Sequence, residues 1–272
     1  MTSLGAAVKP AAELGPQAAD FTVEGGEARA IRAVAQAELG GLPVDVCVQP
    51  LEGRRKRLLV ADMDSTIISC ECLDELADFA GLKAEISAIT ERAMRGELNF
   101  ESALRERVGK LKGLGLDALR RTYEERVRLN PGAEILIRTM AANGARCVLV
   151  SGGFTYFTSR VAAACGFADN RANILRDDGQ ALTGEVAEPI LGREAKLSAL
   201  QEESAALGID PRLAIAIGDG ANDLAMIGAA GLGVAYRAKP IVAQEADMRL
   251  DHADLTALLY AQGYRAAEFA SI

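Results

Sequence analysis

Tryptophan is absent from this 272-residue chain, and aromatic residues make up only 4% of it. That argues against a surface that reads nucleic acid by stacking bases on rings. Positive charge is also in deficit: 30 Lys and Arg face 38 Asp and Glu, a formal net charge of −8. The molecule as a whole repels DNA, RNA and anionic membranes, so any hold on an anionic ligand must be local, from a few Lys or Arg residues and a metal. Histidine occurs once, as His252 far down the chain, which leaves no Ser-His-Asp arrangement. His252 reads as a surface or capping residue. The cysteines, Cys47, Cys70, Cys72, Cys147 and Cys165, are an odd and scattered set of five. Cys147 and Cys165 lie in apolar surroundings and read as small core residues. Cys70-Glu71-Cys72 lacks a second ligand pair at zinc spacing. A reducing, cytoplasmic setting fits this usage. No apolar run approaches membrane-spanning length, and the first residues lack the basic-then-apolar order of a signal peptide.

Half of the chain is hydrophobic, enough for a substantial core without staples. Residues 1–20, rich in Ala, Gly and Pro, show no period and read as mobile at the very start. Residues 1–56 read as a short accessory β-α-β piece: Phe21-Thr22-Val23 extended, a helix between Glu27 and Leu39 stopped by Gly40-Gly41, and an alternating strand over Val44–Val48. From Arg57 onward apolar strands alternate with amphipathic helices, which predicts an α/β fold with a Rossmann-like, mostly parallel sheet flanked by helices. The strand candidates are Leu58–Asp62, Ala145–Val150, Leu213–Ile217, Leu232–Ala235 and Met248–Leu250. The long gap between the first two is helical in pattern. It predicts a helical cap over 70–135, inserted after the first core strand, with the core in 57–69 and 136–272. Arg176-Asp177-Asp178-Gly179 sits between two short extended segments, as a hairpin turn would. Gly81, Gly96 and Gly132 are candidate flexible points, although glycine more often serves as a turn or cap.

Polar groups gather where these strands stop. Arg57-Leu58-Leu59-Val60-Ala61 runs into Asp62-Met63-Asp64-Ser65-Thr66. Two acids so close repel unless a cation, or a proton on one, relieves them. Val148-Leu149-Val150 is followed by Ser151-Gly152-Gly153, a hydroxyl and bare backbone that can approach a phosphate. Leu213–Ile217 is followed by Gly218-Asp219-Gly220-Ala221-Asn222-Asp223, hard oxygen ligands suited to Mg2+. Lys196 follows Gly192 at a helix start and can reach a phosphate as a point charge. Each has a plainer reading: a capped strand, a β-to-α turn, a helix cap, a solvated lysine. Capping does not account for Asp219. With no histidine or cysteine chemistry at hand, a carboxylate nucleophile and phosphoryl transfer suit the set.

Asp62-Met-Asp-Ser-Thr66, Ser151-Gly-Gly153, Lys196 and Gly218-Asp-Gly-Ala-Asn-Asp223 resemble, in order, the four motifs of the haloacid dehalogenase superfamily. The resemblance spans roughly residues 57 to 260. Asp64, two residues after Asp62, resembles its phosphatase branch. Asp62 through Glu71, Cys72-Leu-Asp-Glu-Leu-Ala77 and Met94-Arg-Gly-Glu-Leu-Asn-Phe100 through Arg107-Val108 resemble more narrowly the members that hydrolyse phosphoserine. That resemblance implies Mg2+-dependent release of L-serine and phosphate, the last step of serine biosynthesis, through an aspartyl-phosphate. It implies Asp62 as nucleophile and Asp64 as general acid and base. The metal would sit on Asp62, the Asp64 carbonyl and Asp219, with Asp223 in support. Ser151, Gly152 and Lys196 would hold the phosphoryl group, and Thr66 and Asn222 would orient the site. Glu71 would meet the substrate ammonium, Arg107 its carboxylate, and Phe100 would exclude water. A small phosphomonoester, with no nucleic acid or membrane, is the implied partner. Residues 1–56 depart from the pattern, being shorter than the regulatory module some relatives carry. Hydrolysis or transfer of another small phosphate, or a non-catalytic phosphoserine- or metal-binding relative, stay open at this point.

Overall fold

Residues 58–61 are apolar on both faces, and a strand of that kind must be covered from both sides. In the computed structural model, which describes residues 7–94 and 97–272, all four are fully buried. The chain opens with β1 (Ala7–Gly15), β2 (Ala18–Glu24) and α1 (Ala28–Glu38). Strand β3 (Leu58–Ala61) leads into α2 (Cys72–Phe79), α3 (Lys83–Met94), α4 (Phe100–Lys110), α5 (Asp117–Arg126) and α6 (Ala133–Ala142). Then come β4 (Arg146–Phe154), α7 (Thr155–Cys165), β5 (Asp169–Asn173), β6 (Leu175–Asp177) and β7 (Leu182–Val186). The last part holds α8 (Arg193–Ala206), β8 (Ala214–Gly218), α9 (Leu224–Ala229), β9 (Leu232–Tyr236), α10 (Pro240–Glu245), β10 (Met248–Leu250) and α11 (Ala257–Ala261).

Six strands form one parallel sheet in the order β10-β9-β8-β3-β4-β5. Alternate residues of each strand serve opposite cores. Leu59, Ala61, Leu149, Ile215 and Ile217 pack with Leu136, Met140, Phe157 and Leu258 on one face. Leu58, Val60, Val148, Ala214 and Ala216 pack with Leu200, Met226 and Ile227 on the other. From β3 the chain builds outward to β4 and β5, then returns to the far side of β3 for β8 to β10. The reversal opens a crevice at the carboxyl ends of β3, β4 and β8, where open α/β sheets bind ligands.

Among the described residues, the elements between β3 and β4 along the chain are all helices. The entry and exit of that stretch run side by side. Ile68 pairs with Leu129, and the buried Asn130 amide donates to the carbonyls of Thr66 (2.8 Å) and Ile68 (3.1 Å). Gly81 and Gly132 both have positive φ, at the end of α2 and as the N-cap of α6. Gly96 lies outside the described residues.

Three expectations need correction. Residues 7–24 form an antiparallel hairpin with a turn at Pro16-Gln17, where residues 1–20 showed no period and only Phe21–Val23 read as extended. An alanine-rich strand carries little alternation. This one is docked instead by Leu14, which is buried, and by the Asp20–Arg54 ion pair at 2.6 Å. Val44–Val48 joins no ladder, so the amino-terminal piece is β-β-α rather than β-α-β. Asp45 ties that segment down by its side chain, accepting from the N–H groups of Asp251 (2.9 Å), His252 (3.1 Å) and Ala253 (2.8 Å). Strand β5 was not anticipated at all: Asp169-Asn-Arg-Ala-Asn173 is polar because it lies at the sheet edge. The hairpin at 175–186, by contrast, forms as the turn residues predict, and His252 is exposed. Among the described residues no helix is long and apolar enough to cross a membrane.

Candidate active site

Asp62 directly follows β3 and is still held by the sheet, its N–H donating to the Ile217 carbonyl at 3.0 Å. Asp62 is 5% exposed, and it meets Lys196, 2% exposed, from the first turn of α8. Lys196 Nζ lies 2.8 Å from Asp62 Oδ1 and 2.6 Å from Asp223 Oδ1. Asp223, fully buried, also accepts the Gly220 N–H at 3.0 Å. It fits there because Gly218 has no side chain: a methyl at that position would fall 2.2 Å from the Asp223 carboxyl carbon. Asp219 completes the group. Carboxylate oxygens of Asp62, Asp219 and Asp223 lie within 4.8 Å of one another. The Thr66 hydroxyl donates to Asp219 at 3.4 Å, and the Lys239 N–H holds the Asp219 carbonyl at 3.0 Å.

Three carboxylates thus share one ammonium in a buried place, and that imbalance governs their protonation. Burial pushes the Asp62 pKa well up, Lys196 opposes it, and Asp223 and Asp219 add to it. Burial likewise lifts Asp219 to about 7, with Asp223 and Glu71 adding. Burial works against the Lys196 ammonium, yet Asp223 and Asp62 outweigh it and raise its pKa. A cluster of hard oxygen donors with excess negative charge could hold a divalent cation.

Asp64 faces elsewhere. Ser65 takes a positive φ of 56°, uncommon for a residue with a side chain, and the chain turns sharply there. One Asp64 oxygen accepts the Cys72 N–H at 2.9 Å, and the other accepts the Ser151 hydroxyl at 3.3 Å. Burial and the nearby Glu71 raise its pKa to about 7, against the Cys72 hydrogen bond. Glu71 is itself held by the Ser65 hydroxyl at 2.6 Å. Ser151 accepts the Gly153 N–H at 2.8 Å, which shapes the Ser151-Gly152-Gly153 turn; this is an irregular bend inside the end of β4, between Val150 and Phe154, rather than a turn after the strand.

The sequence-chosen residues fall into two sets, with Asn222 and Arg107 apart from them. Asp62, Thr66, Lys196, Asp219 and Asp223 are joined in one chain of contacts. Asp64, Ser151 and Glu71 form a second set beside them, with Phe100 packed over Gly152 and Gly192. Asn222 lies half-buried in the turn before α9. Arg107 stands further off on α4, bonded to Thr90 and the Ala103 carbonyl. Asp74, Glu71 and Asp64 act on its charge, although burial lowers its pKa overall. Sequence reasoning passed over Asn173. Its buried amide donates to the carbonyls of Gly152 (2.9 Å) and Leu191 (3.2 Å) and accepts the Leu191 N–H at 2.7 Å. One side chain thereby joins the Ser151 turn to the entry of α8. The only signal was a buried-type position filled by Asn at the end of a strand that was itself missed.

A family model described as haloacid dehalogenase-like hydrolase matches residues 59–228. The chain is 46% identical over 224 residues to the phosphoserine phosphatase of Polaromonas sp. strain JS666, covering 80% of this chain and 95% of that one. A solved phospho-aspartyl intermediate analogue of phosphoserine phosphatase superposes with a TM-score of 0.70 at 37% identity, covering 76% of this chain and 98% of that chain. A haloacid dehalogenase family hydrolase of Salmonella enterica serovar Typhi gives a TM-score of 0.82 at 28% identity, over 94% of this chain and 90% of that one.

Proposed function

The chain belongs to the haloacid dehalogenase-like hydrolases, and from that premise we propose that it hydrolyses O-phospho-L-serine to L-serine and phosphate. The observation that carries the reading is the opposite placement of two carboxylates two residues apart. Asp62 sits in the acidic cluster against Lys196, while Asp64 faces Ser151 with a pKa near 7. Two acids with different partners, one paired with an ammonium and the other hydrogen-bonded to an amide and a hydroxyl, are placed for different work.

In this reading Asp62 is the nucleophile. Its carboxylate oxygen bonds to phosphorus as the bond to the serine oxygen breaks, leaving an aspartyl-phosphate. Asp64, protonated in the closed site, gives its proton to the departing oxygen. Water then attacks phosphorus and passes its proton to Asp64, and phosphate leaves Asp62 free. Ser151, the Gly152 N–H and Lys196 hold the phosphoryl oxygens, with Thr66 and Asn222 orienting their neighbours. Asp62, the Asp64 carbonyl, Asp219 and Asp223 would hold Mg2+, which when bound neutralises charge on the phosphoryl oxygens. Phosphomonoesters are so inert that the site must supply up to ~20 kcal/mol or more of barrier reduction, and concentrated charge is the source available here.

Selectivity belongs to the helical stretch, which we read as a cap: Glu71 for the substrate ammonium, Arg107 for its carboxylate, Phe100 against water. The five cysteines are all free thiols, which supports a cytoplasmic setting. The test is phosphate release from O-phospho-L-serine with Mg2+ and its loss in chelator. Purified protein that releases none with metal present overturns the proposal.

A further inference from the structure

An arginine that reads a carboxylate must present its guanidinium at one angle, because the group is planar and its donors form a rigid fork. Arg107 cannot set that angle alone, since its stem has many rotamers. Two hydrogen bonds set it. Arg107 Nε donates to the Ala103 carbonyl one turn back on α4 at 3.2 Å, and Nη1 donates across to Thr90 Oγ1 on α3 at 3.0 Å. In a planar group, two fixed nitrogens fix the third.

Thr90 is equipped to be that acceptor. It is buried, and its hydroxyl has one proton and two lone pairs. The proton lies toward the Ile86 carbonyl at 3.1 Å, so a lone pair is left for Arg107. Asp74 stands behind it, 3.5 Å from the same hydroxyl, and is held in turn by Ser87 at 2.8 Å. The alternative is a threonine that only bonds back to its own helix, a common habit of buried Thr. That habit satisfies the proton and gives no reason for an arginine of the next helix to sit on the remaining lone pair.

We propose that Thr90 is a positioning residue for substrate selectivity: its hydroxyl locks the Arg107 guanidinium in the orientation that receives the substrate carboxylate. The inference rests on the reading of Arg107 as that receptor. Thr90 touches no substrate and takes no part in the phosphoryl chemistry, so its loss should be felt only by ligands with a carboxylate.

The experiment compares O-phospho-L-serine with phosphoethanolamine, which keeps the ammonium and phosphate but lacks the carboxylate. Phosphoethanolamine is measured as a competitive inhibitor, so its own turnover is not required. Thr90→Val keeps the shape and removes the acceptor. It should raise KM for phosphoserine about tenfold, the usual weight of a hydrogen bond to a charged group. kcat and the phosphoethanolamine inhibition constant should stay within about twofold. Thr90→Ser should restore the KM, and Thr90→Ala replaces the valine variant if that one does not fold. Equal weakening of both ligands, or failure of serine to rescue, overturns the proposal. Arg107→Ala separates the two levels. If it abolishes the preference for the carboxylate and Thr90→Val leaves it intact, Thr90 alone is misassigned. If Arg107→Ala leaves the preference intact, the reading of Arg107 itself fails.

Discussion

The ring of Phe100, at the start of α4, stands directly over Gly152, so that a methyl built on that glycine would lie 3.1 Å from the ring Cζ. The helical stretch between β3 and β4 therefore closes onto the turn proposed to hold the phosphoryl group. Gly152→Ala should push the ring away by a few tenths of an ångström and lower kcat/KM for phosphoserine up to about tenfold, as small misplacements do. Phe100→Ala should lower it on its own. In the double variant the loss should be less than the sum, because the clash has gone. Strict additivity would show that the two residues do not meet in the working enzyme.

Asp62→Asn separates catalysis from stability. Removing the nucleophile should cut turnover by roughly 10³–10⁶-fold. Loss of the Lys196 partner in a buried site would ordinarily destabilise. Here the Asp62 pKa is raised, so its charged form is disfavoured in the metal-free fold, and Lys196 keeps Asp223. The thermal midpoint of the variant in chelator should match or exceed that of the parent. A midpoint lower by more than about 10 °C, on the order of 3 kcal/mol or more at this size, would show that the ion pair outweighs the repulsion.

What the sequence discloses of this architecture follows from how local each signal is. Strands β3, β8, β9 and β10 are readable because their apolar runs are bounded by polar residues. Asp62 and Asp219 stand out as candidates because each follows one of those runs at once. Strand β5 and the hairpin of β1 and β2 are not, since edge position and an alanine-rich ladder leave no alternation. Asp45, Asn173 and Thr90 are invisible for a different reason. Their partners are residues 251–253, two separate loops and a neighbouring helix, and no pattern within ten residues encodes a meeting across the fold.

Cation binding should be linked to protons. Asp219 is raised to about 7 and Asp62 is raised as well, so the metal-free fold keeps protons that the unfolded chain has released. The Asp219 contribution to stability is complete below the ordinary carboxylate pKa and is lost as pH rises through about 7, and Asp62 acts in the same direction. A divalent cation competes for the same oxygens. Mg2+ affinity should rise between about pH 5 and 8, and the calorimetric binding enthalpy should depend on the buffer's ionisation enthalpy. The midpoint of metal-free protein should fall over the same range, and saturating Mg2+ should oppose that fall. Affinity independent of pH would mean that the cation does not sit on these carboxylates.

Glu71→Gln and Arg107→Ala address the substrate's two charges. A site built for both an ammonium and a carboxylate discriminates because its own groups are left unpaired when either is missing. Activity on phosphoserine should fall by about 10²-fold or more for each, while activity on an aryl phosphate such as p-nitrophenyl phosphate changes by less than about threefold. Parallel losses on both substrates would place these residues in the fold or the chemistry rather than in recognition.

Asn173 offers the sharpest test of how the site is assembled, because it touches neither metal nor substrate in this account and yet joins two elements that do. Its amide holds the Gly152 carbonyl and both the N–H and carbonyl of Leu191, five residues before Lys196. Asn173→Ala leaves three part-buried backbone groups to find other partners, at up to about 1–3 kcal/mol each where neither protein nor water supplies one. The midpoint should therefore drop by several degrees. Folded protein at low temperature should also lose kcat by about 10–100-fold, since the Ser151 turn and the α8 entry are no longer fixed to each other. Asn173→Asp is more telling. It is nearly isosteric and still accepts the Leu191 N–H, but it turns a carboxylate oxygen on two carbonyls that previously received N–H groups. It should fall below the alanine variant in kcat. If the aspartate variant keeps full activity, the contacts to Gly152 and Leu191 are incidental and the spacing of the phosphate-holding groups is set elsewhere.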